Sequence, residues 1–358
     1  MDPIKTTAII YVCFLYLAGP SCSRYPTDTS GRNLYEMESV WQYLKTYCIW
    51  QDTLWRDTLP VDAFKYATPQ QLLTNVYDTL HGVPYTIYDS SSLNPFQSNV
   101  PDPDTAGVPE VVVDSLTDST GYIGIYREFV AGTFQAFLNA ADMVKKFSNI
   151  IIDLRYNGGG DISATDSIIQ SILPDSTPYI VEKYRRYDGQ TRQASTVDWD
   201  TMRTNRGRQL SALKNKRYAV LANRGSASAS EILIAALKDG LARTTLVGDT
   251  SYGKGMGQIV ITREHIGRPN IKITFLRMKG LSDRVGYYHR KGIWPDVLVR
   301  NPNQSSIGDS LQLLAAMRVF QPAAVLKKTK VLPVGNTCPQ STIAEASIFA
   351  PRDDMATK

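Results

Sequence analysis

Apolar residues recur along this chain in two rhythms, and the change from one to the other divides it. From about residue 35 they fall three and four apart. Met37, Val40, Trp41, Leu44, Tyr47 and Cys48 make one helical face. Thr68 suits the N-cap of a second helix, with Pro69 at its first position, Gln71 completing a capping box, and Leu72, Leu73, Val76, Tyr77 and Leu80 as its stripe before Gly82. Residues 35–84 therefore read as a small helical domain. Residues 85–114 read as a linker, because "NPFQSNVPDPDTAGVPE" is proline-rich and aperiodic. Beyond it, strands and helices alternate. "GYIGIYREF" is a strand, and Phe134, Phe137, Leu138, Ala141 and Val144 line a helix. "NIIIDL" and "RYAVLA" are unbroken apolar runs of the kind buried on both faces of a parallel sheet, with "TTLVGD" and "IKITFLRM" after them. This predicts an α/β core over 115–322 with a helix near 309–320, and a C-terminal extension over 323–358.

Composition changes this picture little. The formal charge of +5 over 358 residues is scattered rather than striped, which removes the electrostatic case for nucleic-acid binding. The N-terminus adds more. "TTAIIYVCFLYLAGPSCS" carries an apolar run too short to span a bilayer, ending in small residues and Cys22. Residues 1–22 read as a signal peptide with Cys22 as the lipid-accepting cysteine, and 23–34 as a polar tether. The alternative is plain secretion. Cys48 and Cys338 are then left, with nothing in their spacing demanding a pair. No CxxC or Cys/His cluster exists, so no metal site and no cofactor are expected.

Three segments have the form of a strand followed by a glycine- or serine-rich loop. "IIIDLRYNGGG" ends in three glycines whose N–H groups can converge on an anion, yet it matches neither phosphate-loop pattern. "RYAVLANRGSASASEILIAALKDG" places a serine at a strand–turn–helix junction, where Ser228 or Ser230 is either a helix cap or a nucleophile. "VGDTSYGKGMGQ" sets Lys254 between glycines. A serine nucleophile needs a base, and the chain's three histidines, His81, His265 and His289, belong to no triad motif. A lysine can serve if burial lowers its amine from about 10.4 to about 7–8, a shift worth about 4 kcal/mol.

Taken in order, "DLRYNGGG", "GSASASEILIAALKDG" and "VGDTSYGKGMGQ" resemble the C-terminal processing (tail-specific) serine proteases. "DSTGYIGIYREF" and "KGIWPDVLV" extend the resemblance over roughly residues 115–300. It implies a spiral ββα fold of the ClpP/crotonase-like kind, following the small N-terminal helical domain. It implies a Ser–Lys dyad, with Ser228 as nucleophile, Lys254 as general base and Gln258 orienting the lysine. The N–H groups of Gly159 and Ala229 would form the oxyanion hole, with Glu231 and Asp239 in support. Too few residues separate Gly82 from Gly121 for the PDZ domain such proteases usually carry, so that module is expected to be absent or a remnant. The expected protein is a bacterial cell-envelope endopeptidase, periplasmic or in the outer membrane. Its substrates are proteins or peptides, it touches membrane only through its lipid anchor, and it self-associates or acts alone. A binding module or scaffold on the same core is the alternative.

Overall fold

The computed structural model describes residues 40–44, 46, 87–88, 111–188, 191, 193–261 and 271–321. The expected leader with Cys22, the second expected helix, the proline-rich segment and the expected C-terminal extension lie outside them. Residues 40–44 are helical and bury Val40, Trp41 and Leu44, as the N-terminal periodicity predicts.

In chain order the elements are β1 (Ile87–Tyr88), β2 (Val111–Thr117), β3 (Thr120–Ile125), α1 (Thr133–Val144), β4 (Asn149–Asp153), α2 (Ile162–Ile172), β5 (Pro178–Asp188), β6 (Gln193–Arg203), β7 (Arg217–Ala222), α3 (Ala229–Gly240), β8 (Thr244–Gly248), β9 (Met256–Ile261), β10 (Ile271–Lys279), β11 (Val297–Leu298) and α4 (Ser306–Arg318). They fall into two compact units, so the stretch 115–322 is shared between them rather than forming one. β2 begins at Val111, inside the segment expected to be linker.

One unit holds a six-stranded sheet in the order β11-β8-β7-β4-β3-β2, parallel except for the β2–β3 hairpin. Its central strands are the apolar runs of the sequence. Ile150, Ile151 and Ile152 of β4 and Ala219, Val220 and Leu221 of β7 are all sealed from solvent. Successive side chains point to opposite faces. Tyr122, Ile151, Ala219, Leu221 and Val247 pack with Ala316 of α4, while Gly121 on the other face of β3 lies against Val144 and Phe147 at the end of α1. Each buried aliphatic side chain contributes roughly 1.5–3 kcal/mol. α1 packs beside α2, and α2 beside α3. β4, β7 and β8 are neighbours and run parallel, so the loops leaving their carboxyl ends emerge at one edge of the sheet.

The other unit is an antiparallel sheet in the order β1-β10-β5-β6, with β9 also on β10. Its long β5–β6 hairpin has no counterpart in the sequence reading. The strands are rich in charged residues, and β6 buries none of its side chains fully, so no apolar rhythm marks them. Trp199 on β6 carries Arg277 and Lys279 of β10 over its ring, at 5.7 and 4.7 Å from the centroid.

Candidate active site

Ser228 sits between β7 and α3 at φ +56, ψ −115, a strained conformation for a residue with a side chain. Its two neighbouring serines are structural. Ser226 Oγ accepts the Asn223 N–H at 3.0 Å and donates to Leu154 O at 2.8 Å. Ser230 Oγ lies 2.8 and 2.7 Å from Asn157 O and Oδ1. The serine ladder is thus two stitches around one turn, with Ser228 at its apex. Ala229 N–H opens the helix and has no acceptor among the described residues, so it carries the positive end of the α3 dipole towards whatever approaches Ser228.

The glycine loop after β4 is joined to this turn by Asn157. Its carbonyl also accepts the Ala227 N–H at 3.0 Å, and its side-chain amide donates to Ile125 O at 3.0 Å. Gly159 packs directly on the serine. A Cβ built there would lie 2.6 Å from Ser228 Cβ, and Gly159 sits at φ +104, so both space and backbone exclude any other residue. Gly159 N–H, which the resemblance assigns to the oxyanion hole, donates instead to Asn157 Oδ1 at 2.9 Å. The neighbouring Gly160 N–H has no acceptor among the described residues.

Glu231 is the centre of the arrangement. It is fully buried one turn into α3, and four donors converge on it. Oε1 accepts Ser251 Oγ–H at 2.5 Å and Gly253 N–H at 2.7 Å. Oε2 accepts Ser228 N–H at 3.0 Å and Lys254 N–H at 2.6 Å. One carboxylate oxygen therefore bridges the backbones of the serine and the lysine, 26 residues apart in sequence. Burial pushes the Glu231 carboxyl up to about 7, against the four donors, which favour the anion. Only the anion can accept all four bonds, because a protonated carboxyl must itself donate one. The loop after β8 is fixed further by Tyr252 N–H to Ser226 O at 2.9 Å, and by Ile293 N–H to Ser251 Oγ at 2.7 Å.

Of the remaining expected residues, one lies on a strand and one on a helix. Gln258 lies on β9 of the antiparallel unit, in register with Thr274. Asp239 is at the far end of α3, roughly 16 Å along its axis from Ser228. There it accepts the Ser282 hydroxyl and, at 3.2 Å, the Ser282 N–H, an anchor for the 282–286 turn. His289 is buried edge-on to Tyr287, at 6.1 Å between ring centroids. Asn157 is the functional residue that pattern reading missed. Its signal is its place, a short amide side chain directly before three glycines, where it can bond backbone on either side. No group of three or more His, Cys, Asp or Glu side chains placed to hold a metal occurs among the described residues.

Parallel-strand loops, a strained serine at a helix mouth and a lysine tied to it define a class of α/β hydrolytic site. Residues 119–299 match peptidase family S41, and the chain belongs to that family. Among curated proteins it is 32% identical, over 61% of its length, to the carboxy-terminal processing protease CtpB of Bacillus subtilis, and 32% identical, over 51%, to the carboxyl-terminal-processing protease of a Synechocystis species. The matches span 41% and 39% of those relatives' own lengths. Among solved structures, a lipoprotein from Streptococcus agalactiae and a putative peptidase from Parabacteroides merdae each superpose with TM-score 0.51. They are 14% and 16% identical, cover 84% and 81% of this chain, and are themselves covered over 99% and 97%. They share the fold, which is of the α/β class expected from the sequence.

Proposed function

We propose that this chain is a serine endopeptidase working through a Ser228–Lys254 dyad. The observation that carries the reading is the shared Glu231 oxygen, which ties the backbones of the two residues to one point. In the proposed reaction, neutral Lys254 Nζ takes the Ser228 hydroxyl proton as Oγ attacks a peptide carbonyl. The tetrahedral oxyanion is held by Ala229 N–H and by the glycine loop packed on Ser228. As the C–N bond breaks, the lysine ammonium returns its proton to the leaving amine. Water then adds to the acyl-enzyme, giving a proton to Lys254, and as the ester C–O bond breaks Lys254 returns that proton to Ser228 Oγ and the new carboxyl terminus is released. Gln258 is assigned to orienting the lysine. Asp239, tied to the 282–286 turn, supports the fold rather than the chemistry.

Substrates are proteins or peptides, by analogy with the named relatives. The apolar leader ending at Cys22 supports a place in the bacterial cell envelope with a lipid anchor. Purified protein and its Ser228→Ala form, tested on casein and on fluorogenic peptides, decide the reading. Cleavage by the first and none by the second is expected, and equal cleavage by both would rule the dyad out.

A further inference from the structure

The glycine loop is held on the Ser228 side by Asn157, but it is also held from behind, by residues outside the dyad and its Glu231 bridge. Asp309, in the first turn of α4, lies 27% exposed at the end of a buried network. Its carboxylate accepts the Tyr156 hydroxyl at 2.8 and 3.0 Å and the Asn301 amide at 3.0 Å. Arg155 Nη1 donates to the Asp309 carbonyl at 2.7 Å and lies 3.3 Å from its carboxylate. The other side of the Arg155 guanidinium forks onto Asp153, Nε at 2.9 Å and Nη2 at 2.6 Å, and Tyr122 OH donates to the same carboxylate at 2.8 Å. Asp153, Arg155 and Tyr156 are thus all pinned immediately before Asn157.

Tyr156 is the strained member. It sits at φ +62, the left-handed region, which costs a residue with a bulky side chain on the order of 1–3 kcal/mol unless its surroundings hold it there. Two bonds do so from opposite ends. Its N–H donates to Asn223 Oδ1 at 3.1 Å, at the carboxyl end of β7, and its hydroxyl reaches α4. Burial and the bond to Asp309 push the tyrosine well above its usual value, so it stays a donor throughout the range in which proteins fold. The next peptide leads into Asn157, whose carbonyl and side chain set the position of Ala227, Ser230 and Gly159 around Ser228. A network serving only to fasten α4 to the sheet would need the Arg155 pairing alone. The hydroxyl of a strained residue, directed at the same carboxylate, adds control of the loop's backbone.

We propose that Asp309 is a positioning residue for the glycine loop, acting through Tyr156: the C-terminal helix holds Tyr156 in its strained conformation and so keeps the Asn157–Gly160 turn against Ser228. The consequence for catalysis rests on Ser228 being the nucleophile, while the consequence for the loop does not. Two measurements separate them, on full-length protein carrying Tyr156→Phe, Asp309→Asn or both. Amide hydrogen exchange of residues 156–161 is expected to accelerate about 10-fold in each variant, with β4 and β7 unchanged. kcat and the rate of acylation by a fluorophosphonate probe are expected to fall about 10-fold, with KM within about two-fold. The double variant should be no worse than the poorer single one, because both changes break one contact. Unchanged exchange and kcat in Tyr156→Phe, or losses that multiply in the double variant, would overturn the proposal. Should Asp309→Asn fail to fold, Tyr156→Phe decides alone, since it removes a single oxygen and leaves the Arg155–Asp309 contacts in place. If Ser228→Ala proves as active as the parent, the peptidase reading fails, and the exchange measurement still settles the loop.

Discussion

The two sheets solve the same problem of satisfying a backbone in opposite ways. The parallel unit buries its strands on both faces and brings its chemistry to one edge, where the ends of β4, β7 and β8 deliver three loops side by side. Those loops are tied to one another by polar side chains that are themselves buried: Asn157, Ser226, Ser230, Glu231 and Ser251 are all at or near zero exposure. The antiparallel unit carries its polar residues outward along β6 and holds Gln258 on β9. Its polar contacts include exposed ones, such as the Lys183–Asp198 pair at 3.0 Å. Exposed contacts of that kind are worth little, whereas a buried group left without its partner costs about 1–3 kcal/mol. Substitutions should therefore hurt far more in the loops of the first sheet than on the faces of the second.

The largest effect expected is at the proposed dyad. Ser228→Ala or Lys254→Ala should lower kcat for peptide cleavage by about 10⁴-fold or more while leaving the thermal midpoint close to the parent's, measured by steady-state kinetics and calorimetry. Next comes Gly159→Ala, which drives a methyl into Ser228 Cβ and the Ala229 amide. A loss of about 10²-fold in acylation rate is expected, together with destabilisation of about 1–3 kcal/mol. Gly207→Ala is the control, since that glycine also has positive φ but nothing within 4 Å of an added Cβ. It should cost about 1 kcal/mol in denaturant melts and nothing in rate.

Glu231→Gln follows, and here pH supplies the readout. The folded carboxyl is raised to about 7 from an ordinary 4.5, so between those values the folded chain holds a proton that the unfolded chain has lost. Its contribution to stability is full below about 4.5 and fades as pH climbs through 7. Activity should move the other way, because the four-donor arrangement around Ser228 and Lys254 requires the anion. In the parent, kcat should rise through pH 7. In Glu231→Gln that inflection should vanish, kcat should drop at least about 10-fold, and the slope of melting temperature against pH between 5 and 7 should flatten. An unaltered inflection would assign it to another group. The smallest effect belongs to the antiparallel unit. Trp199→Ala, which removes two cation–π contacts, should cost about 1–2 kcal/mol in denaturant melts without touching kcat.

The same contrast explains which parts of the molecule could be read in the sequence. β4 and β7 announce themselves as Val/Ile/Leu runs because both faces must be apolar, and α3 begins at Ala229, within the serine ladder. The β5–β6 hairpin does not, since strands with outward-facing charges lack the alternation that marks a half-buried sheet. The Asp188–Gly189 pair between them was the one usable turn signal. Within the site, residue types and order were legible, and so was the crowding of small residues around Ser228. The role of Glu231 as a bridge was not, because three of its four partners lie 20 to 23 residues downstream and no periodicity encodes a contact of that span. The bond of the Gly159 amide to Asn157 was not legible either, for a related reason. Nothing in "NGGG" tells which N–H turns inward to the asparagine, since that depends on positive φ at two successive glycines.

The glycine loop is also flanked on its outer side. Gly158 N–H donates to Arg127 O at 2.7 Å, Phe129 N–H to Gly159 O at 2.6 Å, and Asp161 N–H to Phe129 O at 2.7 Å, a short ribbon outside either sheet. Anyone transplanting this serine turn onto another scaffold would thus have to carry residues 127–129 along with it. A one-residue insertion there should misalign the hydrolytic centre as surely as one beside Ser228, although the two segments stand about a hundred positions apart in the chain.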